Sequence, residues 1–298
     1  MLSAARISRA APRALSRGAA RRLPPQAFFV VSAVFHYLGP AFAVMLFAAV
    51  PPLGVAWLRI ASAALVFALW RRPWRYFRTL TGSQRLTIAA LGVVLAAMNC
   101  VFYLAINQLP LATVGAIEFL GPISLAAAGV RSRRNLAALA IAVAGVVILT
   151  DARFAAAPLG YLFAFANCAL FALYIMLGHQ ISGGGGVDRL ALAMLAAMVV
   201  AMPIGAGEAA PAFLDPRLLA AGVGVGVSSS VIPYVADQLA MARLPRATFA
   251  LFLSLLPATA TAVGLLALRQ IPTFADLCGV ALVIVGVALH RPEPRDEG

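Results

Sequence analysis

The stretch "LAINQLPLATVGAIEFLGPISLAAAG", residues 104–129, decides the fold because the chain carries a second copy of it. The second copy, "LAMARLPRATFALFLSLLPATATAVG", occupies residues 239–264, and ten of the 26 aligned positions are identical. The identities include a Leu-Pro turn and a later proline, an alignment that apolar composition alone does not produce. We therefore interpret the two stretches as copies of an internal repeat.

The composition is that of an integral membrane protein. Of the 298 residues, 63% are hydrophobic and 11% are charged, more apolar surface than a water-soluble domain buries. Apolar runs that approach the length of a membrane span recur along the whole chain, with short connections between them. They predict an all-α protein with ten transmembrane helices near 28–48, 53–70, 86–106, 111–130, 135–150, 158–178, 188–206, 217–240, 246–268 and 273–290.

The arginines predict the orientation of these spans. All 23 basic residues are arginine and the net charge is +13, but they lie between apolar spans rather than on one face, which argues against nucleic-acid binding. With the N-terminus inside, the cytoplasmic segments hold 19 arginines and the outside loops hold three. The positive-inside rule therefore favours both termini in the cytoplasm and an even number of spans.

The repeat copies lie in spans 4 and 9, five spans apart, so they cross the membrane in opposite directions. Loop charge agrees, since the first Leu-Pro turn has no charged neighbour and the second lies between Arg243 and Arg246. We predict two inverted five-helix repeats, 28–150 and 158–290, between cytoplasmic tails 1–27 and 291–298. This architecture is typical of transporters, with the substrate site near the midplane between the repeats.

The first 25 residues contain six arginines and no acidic residue. We interpret them as a basic cytoplasmic tail that anchors the first span. A basic amphipathic organellar transit segment is the alternative.

Two ionisable residues inside the spans are the main functional candidates. Glu118 lies in span 4, with Gly115 and Gly121 on its helical face, and Pro122 frees a backbone carbonyl near it. It is either a functional carboxylate or a protonated, hydrogen-bonded structural residue. Arg59 is the only arginine within a span. It either snorkels to the outer interface or pairs with Glu118 or a substrate carboxylate. Membrane-embedded charges are costly and usually face the protein interior or a wet cavity.

Weaker candidates come from other polar residues in the spans. Asp237 is either a coupling carboxylate or a solvated residue near the end of span 8, and His36 is either a proton-coupling group or a packing residue. Cavity-lining and hinge candidates are Asn99, Tyr103, Asn167, Tyr174 and Tyr234, and Pro122, Pro233 and Pro257, respectively.

No pattern indicates a cofactor, a metal or an enzyme. The cysteines Cys100, Cys168 and Cys278 lie singly in apolar spans, and no His, Asp or Glu cluster has metal-ligand spacing. The "GVGVGV" run at 222–227 lies within a span, so we interpret it as helix packing rather than a dinucleotide motif. The "GGGG" run at 183–186 predicts a flexible cytoplasmic loop.

The chain resembles the EamA-type family of the drug/metabolite transporter superfamily, and within it the bacterial inner-membrane threonine/homoserine exporter group. The resemblance covers nearly all of residues 28–290. It is carried by four stretches: "WLRIASAALVFALWRRPW" (57–74), "MNCVFYLAINQLPLATVGAIEFLGP" (98–122), "FALYIMLG" (171–178) and "IPYVADQLAMARLPRATFALFLSLLP" (232–257). One departure is Leu256, which stands where these exporters usually carry a second glutamate.

The resemblance implies proton-driven export of small amino acids or related metabolites by alternating access. In this hypothesis, Glu118 binds the substrate amine or cycles a proton, and Arg59 holds a carboxylate or tunes Glu118. The expected partners are a small-molecule substrate, protons and the lipid bilayer. The alternative is an exporter of drugs or other metabolites, or an importer, of the same superfamily.

Overall fold

A computed structural model describes residues 25–121, 123–124, 132–151, 156–181, 186–233, 235–236 and 256–289. These residues are all-helical and contain no strand, so the predicted all-α class is confirmed. The described helices are α1 (Pro25–Leu46), α2 (Pro52–Arg71), α3 (Trp74–Phe77), α4 (Gly82–Ile106), α5 (Leu111–Glu118), α6 (Arg133–Asp151), α7 (Pro158–Ile181), α8 (Gly186–Gly205), α9 (Ala210–Leu214), α10 (Pro216–Gly226), the π-turn (Val227–Val231), α11 (Leu256–Leu268) and α12 (Phe274–Leu289).

The longest apolar helices match the predicted spans. Four stretches are long and apolar enough to cross a membrane: Pro52–Arg71, Gly82–Ile106, Pro158–Gly178 and Gly186–Gly205. Three shorter apolar helices, Val30–Leu46, Leu256–Leu268 and Phe274–Leu289, also fall on predicted spans. The chain is therefore a multi-pass membrane protein, as its composition predicts.

Two of the predicted spans, 111–130 and 217–240, are not single regular helices in the described residues. The helix α5 ends at Glu118, and a π-helical turn follows α10 at Val227–Val231. Each irregularity lies just before a proline, Pro122 or Pro233. A proline has no N–H to donate to the carbonyl four residues earlier, so the regular hydrogen-bond pattern is interrupted.

Contacts between the first and second halves of the chain dominate the packing. The most extensive contacts are those of α6 with α12, of α4 with α7, of α8 with both α2 and α4, of α1 with α11, and of α2 with α10. Small residues permit the close approach. A Cβ built on Gly145 of α6 would lie 2.6 Å from the Gly279 carbonyl of α12, and one built on Gly279 would lie 2.8 Å from the Gly145 carbonyl.

Two clusters of buried side chains form the core. The smaller cluster joins α2, α4 and α8. The larger cluster contains residues of α1, α4, α5, α7, α11 and α12, and includes Tyr37, Tyr103 and Ile117. Glu118 follows Ile117 directly, so the candidate carboxylate lies in the larger core where both halves of the chain meet.

Candidate functional site

Glu118 lies at the end of α5 and is only 6% exposed. The glycines on its face bring other helices close, as the sequence predicts. A Cβ on Gly115 would lie 3.1 Å from the Tyr37 hydroxyl of α1 and 3.1 Å from the Ala260 side chain of α11. A Cβ on Gly121 would lie 2.7 Å from the Cys168 carbonyl of α7. Three helices therefore pack around the Glu118 turn.

Asn167 of α7 is the polar neighbour of Glu118. Its amide lies beside the Glu118 carboxylate, and its side chain is fully buried. Within the described residues, Glu118 Oε2 and both Asn167 amide atoms lack a hydrogen-bond partner. Buried polar groups are normally paired, so these atoms present unused hydrogen-bonding capacity inside the bundle.

Arg59 of α2 approaches the same core from the side of α10. Its side chain is buried, 8% exposed, rather than extended to the surface of the bundle. The guanidinium donates from Nε to Ser230 Oγ at 3.1 Å and from Nη2 to the Ser229 carbonyl at 3.2 Å. Its central carbon lies 5.5 Å from the centre of the Tyr103 ring, a cation–π geometry.

The proline after the π-turn explains why the Ser229 carbonyl accepts from Arg59. In an α-helix this carbonyl would bind the N–H four residues later, but that residue is Pro233. The carbonyl therefore has no α-helical donor, and Arg59 donates to it. The two bonds use two of the five N–H groups of the guanidinium, and among the described residues the others make no hydrogen bond within 3.5 Å.

Arg59 and Glu118 do not form an ion pair. The described part of the chain contains one such pair, Arg71 with Asp188, far from this core. Arg59 is nevertheless close enough to Glu118 to act on it electrostatically. The core therefore holds a cationic group, which other residues position, and an acidic group that is not paired with it.

The structure places the other predicted residues at different distances from this centre. Tyr103 is fully buried, and its hydroxyl lies near Arg59 and Ser229 but forms no hydrogen bond within 3.5 Å among the described residues. His36 packs edge-on against Tyr37, with ring centres 5.1 Å apart. Asn99 donates to the Leu95 carbonyl of its own helix at 2.7 Å, so this donor is used locally.

The remaining candidates make other contacts or lie outside the described residues. Tyr174 is half-buried and stacks on Phe171 with ring centres 5.9 Å apart. The Pro257 carbonyl accepts from Thr261 at 2.9 Å, and the Pro233 carbonyl accepts from Ser32 at 3.4 Å. Three predictions lie outside the residues that the structure describes: Pro122, Tyr234 and Asp237.

Sequence reasoning missed Tyr37 and the serines of the π-turn. Tyr37 is fully buried against Gly115, and its hydroxyl has no partner among the described residues. Ser228, Ser229 and Ser230 are all buried. Three consecutive serines in an apolar span are a usable sequence signal, whereas a tyrosine beside a histidine is typical of ordinary core packing.

Across the described residues, no group of three or more His, Cys, Asp or Glu side chains is arranged to hold a metal ion. The polar atoms of the core instead suit an organic ligand that carries both charges. Glu118, Asn167 and Tyr37 can bind a cationic group. Arg59 can bind an anionic group at the other side.

Comparisons with known proteins find relatives along most of the chain. The EamA-like transporter family matches residues 158–290. A threonine/homoserine exporter, RhtA, of Salmonella typhimurium LT2 is 31% identical over 294 residues, covering 93% of this chain and 97% of the relative. The RhtA exporter of Escherichia coli K12 is 30% identical over 280 residues, covering 90% and 92%. One crystal structure superposes with a TM-score of 0.55 at 20% identity, covering 90% of this chain and 98% of that chain.

Proposed function

This chain belongs to the EamA-like transporter family, and on that premise we propose that it exports small amino acids of the threonine and homoserine type across the bacterial inner membrane. Export is coupled to proton entry, and the substrate site lies between Glu118 and Arg59. The transport cycle is alternating access. The similarity to two threonine/homoserine exporters along nearly their whole length supports the substrate class.

One observation supports the proposal: unpartnered polar atoms lie in the core that contains Glu118 and Arg59. Six buried side-chain atoms lack a hydrogen-bond partner among the described residues, and five belong to Tyr37, Tyr103, Glu118 and Asn167. Each such atom costs about 1–3 kcal/mol when left unsatisfied. A cluster of them in a membrane bundle is reasonable when a polar substrate supplies the partners during the cycle.

The charges of an amino acid match this cluster. In the proposed pose, the substrate ammonium binds Glu118 and the Asn167 carbonyl oxygen, and the substrate carboxylate binds the free N–H groups of Arg59. The Tyr37 and Tyr103 hydroxyls are placed to bind the side-chain hydroxyl that threonine and homoserine share. When the substrate leaves, a proton replaces its ammonium on Glu118.

The proposed architecture is ten membrane helices in two inverted repeats, with both termini cytoplasmic. The predicted spans correspond to α1, α2, α4, α5 and α6, then α7, α8, α10, α11 and α12. In this order, α1 corresponds to α7, α2 to α8, α4 to α10, α5 to α11 and α6 to α12. When both helices of a contact are replaced by their counterparts, each of the six most extensive contacts between the halves gives either the same contact or another contact that the structure contains. For example, α2 with α10 becomes α8 with α4. The family match begins at residue 158, where the second repeat is predicted to start.

Alternating access needs a barrier that opens on each side of the site. On the side where α5 begins, the backbone N–H of Leu111 donates to Gln270 Oε1 of the second half at 3.1 Å. A cavity of about 30 Å³, enough for about one water, lies beside this contact between Thr113, Thr261 and Gly264. In the proposal, this contact is part of the barrier on the outer side of the predicted orientation.

Leu256 makes the proposed coupling depend on the first repeat. It is buried in the larger core, where the resembling exporters usually carry a glutamate. In the proposal, Glu118 therefore serves both substrate and proton. Asp237 stays a further candidate for the second half.

The experiment is efflux of labelled threonine and homoserine from cells that express the chain, with and without a protonophore. We expect efflux that the protonophore suppresses and that Glu118→Gln reduces to the level of cells without the protein. The matched control is Glu208→Gln, the same charge change on a residue of the connection between α8 and α9. Normal proton-sensitive efflux by Glu118→Gln would refute the role of Glu118. Uptake rather than efflux would instead favour an importer.

A further inference from the structure

The segment from the end of α2 to the first turn of α4, residues 70–85, carries five arginines and four aromatic residues that the proposed substrate site does not use. Its sequence is "WRRPWRYFRTLTGSQR". It contains the short helix α3, and we call it the α2–α4 hairpin. Arginine and tryptophan together are typical of the interface between membrane and water.

The hairpin is fixed to the start of α8. Arg71 binds Asp188 with two parallel bonds, Nε to Oδ1 at 2.9 Å and Nη2 to Oδ2 at 3.1 Å. Arg189 donates to the Tyr76 hydroxyl at 3.2 Å and to the Ile181 carbonyl at 3.0 Å. These contacts hold α3 against α8 in a defined position.

Three cations of the hairpin remain uncommitted. Arg72, Arg75 and Arg78 are exposed, and among the described residues none forms an ion pair or a hydrogen bond through its side chain. Trp74 and Phe77 lie beside them with 52% and 44% of their surface exposed. An exposed cluster of this kind has both charge and apolar area available for a ligand.

A groove joins these residues to α8. It has a volume of about 520 Å³ and is lined by Trp74, Arg75, Phe77, Arg78, Leu192 and Leu195. The apolar lining continues along α8 through Val199 and Met202, which are 63% and 55% exposed. These four α8 residues are spaced three or four apart, so they form one stripe roughly 15 Å long.

We propose that this groove binds an anionic phospholipid of the phosphatidylglycerol type. The phosphate binds Arg75 and Arg78, whose guanidinium groups suit phosphate oxygens. One acyl chain lies on Leu192, Leu195 and the stripe that follows. A soluble phosphate would use the arginines but not the apolar stripe, and a zwitterionic lipid would lose the charge attraction to the arginines.

The same arginines also contribute to membrane orientation, but orientation needs only their charge. The groove adds two features that orientation does not require: a rigid attachment to α8, and an apolar path that begins at the cationic mouth. Basic pockets between membrane helices bind anionic headgroups for this reason. The site is separate from Glu118 and Arg59, so it does not depend on the proposed substrate.

The test is thermal unfolding of the purified full-length protein in detergent, titrated with phosphatidylglycerol or phosphatidylcholine. We expect phosphatidylglycerol alone to raise the unfolding midpoint. The double variant Arg75→Gln with Arg78→Gln should weaken the apparent affinity by about tenfold or more. The control pair Arg217→Gln with Arg269→Gln removes the same charge from two exposed arginines elsewhere, one in the first turn of α10 and one after α11, and should leave the affinity unchanged.

Two further measurements make the proposal falsifiable. Leu195→Gln should also weaken phosphatidylglycerol binding, and glycerol phosphate should not compete with the lipid. Equal lipid affinity in the wild type and in the Arg75/Arg78 variant would overturn the proposal. So would an equal loss in the Arg217/Arg269 control, because that result would indicate net charge rather than a site. Native mass spectrometry of bound lipid gives an independent readout in each variant.

Discussion

Arg59 Nε donates to Ser230 Oγ at 3.1 Å, and this bond connects residues that are 171 positions apart in the chain. It joins α2 of the first half to the π-turn of the second half. The adjacent Ser229 carbonyl accepts from the same guanidinium because Pro233 cannot supply the helical N–H. The geometry of Arg59 therefore depends on an irregular segment in the other half of the protein.

This dependence predicts that arginine and lysine are not equivalent at position 59. Arg59→Lys keeps the positive charge but cannot bind Ser229 and Ser230 through a planar fork while it also faces a carboxylate. Hydrogen bonds to charged groups contribute about 1.5–3 kcal/mol, so we expect Vmax/KM for threonine efflux to fall by about tenfold or more. Ser230→Ala removes one acceptor and should have a smaller effect. An Arg59→Lys variant with wild-type kinetics would show that only the charge matters.

The tyrosine hydroxyls allow substrate binding to be separated from stability. Tyr37→Phe removes a buried hydroxyl that has no partner among the described residues, so we expect no loss of thermal stability. If that hydroxyl binds substrate, KM should rise by about 2- to 10-fold, the equivalent of one neutral hydrogen bond.

Tyr161→Phe is the matched control for this substitution. The Tyr161 hydroxyl donates to the Leu149 carbonyl at 3.1 Å, and the residue is equally buried. We expect it to lose about 1 kcal/mol of stability while KM stays unchanged. The opposite pattern, stability lost in Tyr37→Phe and KM raised in Tyr161→Phe, would contradict the proposed site.

The sequence predicts the helices well where an apolar run ends at a clear signal. Proline begins α2 and α7, and the capping box of Thr81 and Gln84 fixes the start of α4. Hydropathy does not distinguish the break after Glu118 or the π-turn from a regular helix, because it is the same for both. Only the prolines mark these positions, and their effect depends on what replaces the lost hydrogen bond.

The candidate site residues also divide into those with a clear sequence signal and those without one. A charge in an apolar span is visible in the sequence, so Glu118 and Arg59 are identified directly. Asn167 is visible as a polar residue, but its position beside Glu118 is a tertiary contact. Tyr37 is not distinguishable from core aromatics until its hydroxyl is found without a partner. Residues whose role depends on which helices meet are therefore the ones that sequence patterns miss.

The alternating glycines of α10 give a stability prediction with an internal control. A Cβ on Gly226 would lie 2.7 Å from the Arg59 carbonyl and would overlap the Ser62 hydroxyl, whereas one on Gly224 would meet nothing within 4 Å. Gly226→Ala should therefore lower the thermal unfolding midpoint and displace Arg59. Gly224→Ala should be neutral or slightly stabilising, since alanine favours a helix by about 1 kcal/mol over glycine. Unfolding curves of both purified variants test this, and equal midpoints would contradict close packing of α2 on α10.

A cross-link between α5 and α11 tests whether the two halves separate during transport. A Cβ on Gly264 would lie 3.9 Å from the Leu111 Cβ, within the about 3.5–4.5 Å that a disulfide requires. It would also lie 3.0 Å from Gln270 Oε1, the end of a flexible side chain that can move aside.

We therefore expect the double variant Leu111→Cys with Gly264→Cys to form a disulfide under oxidant and to stop threonine efflux. Reductant should restore efflux, because the bond holds shut the side of the site where Leu111 and Gln270 meet. Each single variant, treated with the same oxidant, controls for Cys100, Cys168 and Cys278. Efflux at the wild-type rate by protein shown to be fully cross-linked would mean that α5 and α11 stay together here throughout the cycle. The substrate would then have to leave by another path.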